Sequence, residues 1–183
     1  IEAFNGRTMG LAETVIESRA PLIAPPRGNL YLLAIGVNEF PDLPKELQLL
    51  YSATDAGAIA QVFGKRLANR FNKVNLKLIA DGLAEQPEKQ TILDSLRFLW
   101  DAGPNDTVVI FLASHAVSDR AGNYYFAPRG VKADDMVLLR EGKLSGEGSS
   151  IAWTRFVDGL RVVAGRRLLI VDTCHAEAIR GKV

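Results

Sequence analysis

The sequence predicts an α/β fold, with a mostly parallel sheet flanked by helices on both faces. Two observations carry this. Continuous apolar runs such as Leu30 to Val37 and Thr107 to Ala113 are present, and such runs read as strands buried on both faces. Between them lie segments with apolar residues at helical spacing, and strands that alternate with helices build βαβ units. The composition agrees: 183 residues, 48% hydrophobic and 23% charged, is the balance of a globular domain long enough to bury a sizeable core.

Residues 1 to 28 read as a linker or N-terminal arm from an upstream region. The stretch Ala20-Pro21-Leu22-Ile23-Ala24-Pro25-Pro26-Arg27-Gly28 is proline-rich and closes on glycine. Residues 29 to 183 read as one domain. Its first strand is Leu30 to Val37 (LYLLAIGV), followed by a turn from Asn38 to Pro44. Ser52 to Arg70 reads as a helix, with Ala53, Ala56, Ile59, Ala60, Phe63 and Leu67 on one side. Val74 to Ala80 is the second strand, closed by Asp81-Gly82. Glu88 to Trp100 is the second helix, with Ile92, Leu93, Leu96, Leu99 and Trp100 as its apolar side. After the turn at Gly103-Pro104-Asn105-Asp106 comes the third strand, Thr107 to Ala113 (TVVIFLA). A short aromatic strand falls within Gly122 to Pro128. Residues 130 to 150 look loop-like, with Gly142, Gly146 and Gly148. Ile151 to Val163 is a third helix, and Arg167 to Asp172 (RLLIVD) a fourth strand.

Several function classes are excluded early. A net charge of +1 leaves no basic footprint for nucleic acid. No run of about 18 apolar residues suggests a membrane span. The first strand is followed by Ile35-Gly36-Val37-Asn38, too poor in glycine for a phosphate-cradling loop. One cysteine permits no internal disulfide and suits a reducing, cytoplasmic setting.

Sites in open α/β sheets form beyond the carboxyl ends of the strands. After the third strand stands Ser114-His115-Ala116, and after the fourth, Asp172-Thr173-Cys174-His175. The chain's one cysteine and both its histidines therefore fall at strand ends. His115 and Cys174 are 59 positions apart, but adjacent parallel strands would bring them together. Such a pair supports nucleophilic acyl transfer, in which an imidazole takes the thiol proton and later protonates the leaving amine. The backbone N–H groups of Ala116 and Cys174 are the candidates for stabilising an oxyanion. Each residue also has a bland reading: a lone cysteine serves in many proteins as a small buried hydrophobe, and a lone histidine as a structural group.

These segments resemble the caspase-like cysteine peptidases. VVIFLASHA resembles their histidine motif, an apolar strand running into Ser-Gly-His-Gly. RLLIVDTCHAEA resembles the cysteine motif of metacaspases and bacterial orthocaspases, Asp-Ser-Cys-His-Ser-Gly. LYLLAIGVNEF and YSATDAGAIAQVF are similar to the family's first strand and first helix. Animal caspases carry Gln-Ala-Cys instead. The resemblance implies a hydrolase with catalytic His115 and Cys174. It implies a substrate pocket of Asp55 and Asp172, which would hold arginine or lysine, since two carboxylates around one guanidinium make favourable charge-assisted bonds. Asp55 also reads as an acid at a helix N-terminus, favoured by the dipole.

The departures from the family's pattern have chemical content. Ser114 and Ala116 stand where the family has glycines. Glu177, just past the thiol, would oppose thiolate formation if it pointed inward. These changes support an alternative, a weak or inactive caspase-like module that regulates or scaffolds a partner. The family's last two strands have no counterpart in the nine residues after Cys174. The resemblance therefore implies a small-subunit fragment as partner, with self-processing near Arg180 and Lys182, and allows an upstream sensor or repeat domain. No cofactor is needed for the chemistry. The resemblance admits calcium, with Asp134, Asp135 and Glu141 as oxygen ligands, although an acidic pair in a polar loop also reads as a solvated face.

Overall fold

A computed structural model describes residues 2–4, 9–11 and 27–175; for Cys174 and His175 it describes the backbone alone. The proline-rich stretch up to Pro26, and Glu177, Arg180 and Lys182, lie outside the described residues. Within the lead-in, β1 (Glu2–Phe4) and β2 (Met9–Leu11) pair antiparallel.

The main sheet begins with β3 (Leu30–Gly36), which pairs in parallel with β4 (Val74–Ala80) on one side and β5 (Thr107–Ser118) on the other. β8 (Arg166–His175) lies parallel along the far edge of β5. Two short strands extend the top of β5 antiparallel: β6 (Tyr124–Phe126) pairs with β5, and β7 (Ile151–Ala152) with β6. The expected mostly parallel sheet is thus observed.

Alternate residues of the buried strands feed opposite faces, as the two-residue strand period requires. Leu33, Ile35, Val108, Ile110 and Leu112 pack on one face. That face is covered by α2 (Lys89–Ser95) with the 3-10 turn Leu96–Asp101, by α3 (Ala133–Arg140) and by α4 (Trp153–Arg161), which contribute Ile92, Leu99, Met136, Leu139, Phe156 and Leu160. Leu32, Ala34, Val109, Phe111 and Ala113 pack on the other, under α1 (Ser52–Gln61). The contact there is close because the facing residues are small: Ala34, Ala113 and Ala56. Gly36 is required by the same approach, since a Cβ at this position would lie 2.2 Å from the Ser52 carbonyl oxygen.

Four differences from the sequence reading have local causes. The first helix does not run unbroken to Arg70. It gives way to a π-helical turn, Val62–Arg66, and a 3-10 turn, Ala68–Arg70, and Gly64 in that stretch is a poor helix former. The second helix tightens into 3-10 geometry after Ser95, whose hydroxyl donates to the Ile92 carbonyl at 2.6 Å and competes with the backbone ladder. The third expected helix starts only at Trp153, because Ile151 and Ala152 are taken up by β7. The supposed loop of residues 130 to 150 contains α3. It has Asp134 and Asp135 in its first turn and Arg140 in its last, the charge order its dipole favours.

No helix among the described residues is long and apolar enough to cross a membrane.

Candidate active site

The four parallel strands reach one level together: Ala80, Gly36, Ala113 and Asp172 stand side by side. β3 and β4 end there. β5 and β8 continue, and the next rungs pair Ser114 with Thr173, His115 with Cys174 and Ala116 with His175. The strand was expected to stop at Ala113. It runs on because Ser114-His115-Ala116-Val117 contains no glycine or proline, the Ser114 hydroxyl is taken up by the Ala127 carbonyl, and β6 offers a new partner where β3 stops. The two residues expected to act together therefore occupy opposed register positions on adjacent strands, two residues or about 7 Å above the rim of the sheet.

Ser114, in place of the family's glycine, is fixed by the segment after β6: its hydroxyl donates to the Ala127 carbonyl at 2.6 Å. The Ala127 N–H in turn donates to the His115 carbonyl at 3.0 Å. This bond turns the main-chain polar edge of His115 toward β6, and that of Ala116 toward β8. The N–H groups of Ala116 and Cys174 thus lie in the paired part of the β5–β8 ladder.

The His115 ring is buried, with 8% of the residue exposed. Its Nε2 lies 2.7 Å from the Leu47 carbonyl oxygen. A carbonyl only accepts, so Nε2 carries a proton, and in the neutral ring Nδ1 holds the lone pair. Nδ1 is buried and has no hydrogen-bond partner among the described residues. An unpartnered buried acceptor is costly, and a catalytic role is one of the reasons such a group is kept. Burial pushes the ring's pKa below the ordinary histidine value, against the opposing effect of the Leu47 carbonyl. The ring is accordingly neutral at pH 7, the form a general base needs. Phe40, fully buried, packs against it with ring centres 5.0 Å apart.

Leu47 and Phe40 belong to the segment of residues 38 to 50, of which the sequence reading covered Asn38 to Pro44 alone, as a turn. What holds the segment is Gln48. Its amide accepts from the Phe40 N–H at 2.7 Å and donates to the carbonyls of Phe40, Leu43 and Pro44 at 3.0, 3.3 and 3.3 Å, filling the loop from within.

Asp172 is exposed, on the rung beside Ala113. Asp55 is half-buried in the first turn of α1, next to Ala56, which packs on Ala113. Asp172 thus pairs in register with Ala113, and Asp55 precedes a residue of the cluster that contains Ala113. Tyr124 of β6 shares a hydroxyl–hydroxyl hydrogen bond with Thr173, the residue before Cys174.

The acids considered for calcium do not converge. Asp135 Oδ2 accepts the Ser149 N–H at 2.7 Å, Asp134 is its neighbour in the first turn of α3, and Glu141, beyond the other end of that helix, pairs with Lys143 at 2.7 Å. Among the described residues no group of three or more His, Cys, Asp or Glu stands close enough to hold a metal ion.

The family model described as the caspase domain matches residues 30–183, nearly the whole chain after the lead-in. The chain belongs to the caspase-domain family. Its fold is also similar to a crystal structure of protein GSU0716 from Geobacter sulfurreducens, with a TM-score of 0.54 at 16% identity over 82% of this chain. At that identity the likeness concerns the fold alone. The caspase-domain chain spans about half of that relative, 52% of its length. No curated protein sequence matches it.

Proposed function

We propose that this caspase domain is the large-subunit half of a cysteine endopeptidase of the metacaspase or orthocaspase branch, with Cys174 as nucleophile and His115 as base, cleaving after Arg or Lys. The observation that carries the reading is the opposed register of His115 and Cys174, together with a neutral His115 ring whose Nδ1 lone pair has no hydrogen-bond partner among the described residues.

The steps follow from these atoms. Nδ1 takes the thiol proton. Sγ attacks the scissile carbonyl carbon, and the carbonyl π pair moves onto oxygen. The tetrahedral intermediate collapses, the C–N bond breaks, and the imidazolium proton goes to the leaving amine. Water then attacks the thioester, giving its proton back to His115, and the thiol is restored as the acid leaves. The Ala116 and Cys174 N–H groups would bind the oxyanion. Both lie in the β5–β8 ladder, so the top rungs must open for them to do so. Asp55 and Asp172 would hold the substrate cation. A small-subunit fragment would cover β8, whose outer edge is unpaired among the described residues and whose Leu168 and Val171 are 46% and 40% exposed. Self-processing near Arg180 and Lys182 would separate the two parts.

The test uses full-length protein and two fluorogenic peptides, with Arg or Asp before the scissile bond. Expected is cleavage of the Arg peptide, lost in Cys174→Ala and lowered about 10-fold or more in Asp172→Asn, the loss of one charge-assisted contact. Preference for the Asp peptide would overturn the pocket. An Arg-peptide rate unchanged in Cys174→Ala would overturn the nucleophile.

A further inference from the structure

The loop of residues 38 to 50 delivers the Leu47 carbonyl to His115, yet its only regular structure is one 3-10 turn, Lys45–Leu47. Its height over the ring must be set by contacts at its base. There the Asn38 side chain accepts the Ala53 N–H at 2.9 Å, tying the loop to the start of α1. Asp81, just past β4, accepts the N–H groups of Asn38 and Glu39 on Oδ2, at 2.5 and 3.1 Å. Its Oδ1 accepts Nε of Arg129 at 3.1 Å. Arg129 stands two residues beyond Ala127, which is itself bonded to the His115 carbonyl. The contacts close a circuit. It leaves His115 through its main-chain oxygen, passes Ala127, Arg129, Asp81 and the loop, and returns through Leu47 to Nε2.

We propose that Arg129 and Asp81 are positioning residues for the candidate base: they fix the loop so that the Leu47 carbonyl stays on Nε2. This rests on the reading of His115 as the base. Burial separates the central contact from ordinary surface pairing. The Asp81 side chain is 6% exposed, whereas the other two acids on Arg129, Glu39 at 2.9 Å and Glu88 at 3.6 Å, are 62% and 44% exposed. Exposed pairs contribute little, whereas a buried carboxylate with three N–H donors is held in one geometry. Arginine suits the place because its planar fork presents Nε to Asp81 in a fixed direction, whereas a lysine ammonium on a flexible stem fixes none. The ring itself is faced by Phe40 and the Leu47 carbonyl from the loop, and Cys174 holds the opposed position on β8. Asp81 and Arg129 are not among the charges that shift the ring, so they act on the loop.

The experiment is a 13C NMR titration of the His115 ring in full-length protein, its resonance identified by its loss in His115→Gln, with kinetics on the Arg peptide alongside. In Arg129→Gln the loop loosens and water reaches the ring. Its pKa is then expected to rise toward the ordinary ~6.5. The turnover number should fall about 10–100-fold with KM within about twofold. Arg129→Lys should fall between, and Glu39→Gln should leave the titration unchanged. If Arg129→Gln does not fold, Asp81→Asn, which keeps the shape of the carboxylate, is read in its place. A titration identical to wild type in the folded variant overturns the proposal, as does a loss confined to KM. A wild-type protein without peptidase activity would instead sink the peptidase reading, while the titration still decides the positioning.

Discussion

His115 is held at two atoms, its main-chain oxygen by Ala127 and its Nε2 by Leu47, which leaves Nδ1 as its working atom. Because burial is the main cause of the lowered pKa, the base form survives to lower pH than an exposed histidine would allow. The acid limb of kcat/KM for the Arg peptide is therefore expected below ~6.5, with activity lost as pH falls through the ring's own lowered value. A pH–rate profile measures this; an acid limb above 6.5 would contradict it. Stability follows the same sign. Below ~6.5 the unfolded chain takes up a proton that the buried ring resists, so the fold weakens as pH falls from there toward the lowered value. His115 and Cys174 were legible in the sequence because they follow apolar runs and are rare residue types. The Leu47 carbonyl was not, since any residue supplies a carbonyl and only the folded loop selects this one. Gln48 gave no periodic signal either; its four bonds appear only once Phe40, Leu43 and Pro44 curl around it.

At the scale of elements, the contact between α1 and the sheet carries Asp55 to the rim. Gly36 permits it: with the Ser52 oxygen 2.2 Å from where a Cβ would stand, backbone must shift to admit one. Gly36→Ala is expected to cost about 1–3 kcal/mol, measured by chemical denaturation, and to lower Arg-peptide cleavage by displacing Asp55. A variant as stable as wild type would show that α1 approaches the sheet less closely. β4 and β8 are not buried on both faces as expected, with Leu76, Leu168 and Val171 exposed; β3 and β5 were legible because doubly buried runs are continuous and apolar. Their upper ends were not. The sequence near Ser114 held no stop signal, and the rule that sites follow strand ends suggested one. α3 was missed because eight residues between glycines hold only two fully used apolar positions, Met136 and Leu139, too few to mark a helical period.

At the scale of the molecule, both outer strands of the parallel part of the sheet have an edge that is unpaired among the described residues. β4 has seven residues with Leu76 exposed, and β8 is the longer, ten residues with exposed Leu168 and Val171. An exposed apolar edge invites pairing with another chain. The 183-residue chain alone is therefore expected to self-associate at micromolar concentration. Addition of the small-subunit fragment proposed above should give a single monodisperse species, read by size-exclusion chromatography with light scattering. A stably monomeric chain without that fragment would argue against the proposed partner on β8. The alternation of strands and helices announced this architecture in the sequence. The layering did not, because which helix covers which face is decided by strand order, and strand order leaves no local mark.

The claim on which the account turns is that Cys174 and His115 act as a pair, and it is tested most directly by alkylation. Full-length wild type and His115→Gln are treated with iodoacetamide from pH 5 to 9, and modification of the Cys174 peptide is followed by mass spectrometry. A thiol with an ordinary pKa of about 8.5 is only a few per cent thiolate at neutral pH. The account predicts wild-type alkylation at pH 7 about tenfold faster than in His115→Gln, because Nδ1 accepts the thiol proton as sulfur attacks, with that excess lost as pH falls through the ring's lowered value. The same slow rate in both proteins, rising with an ordinary thiol midpoint or higher, would contradict it.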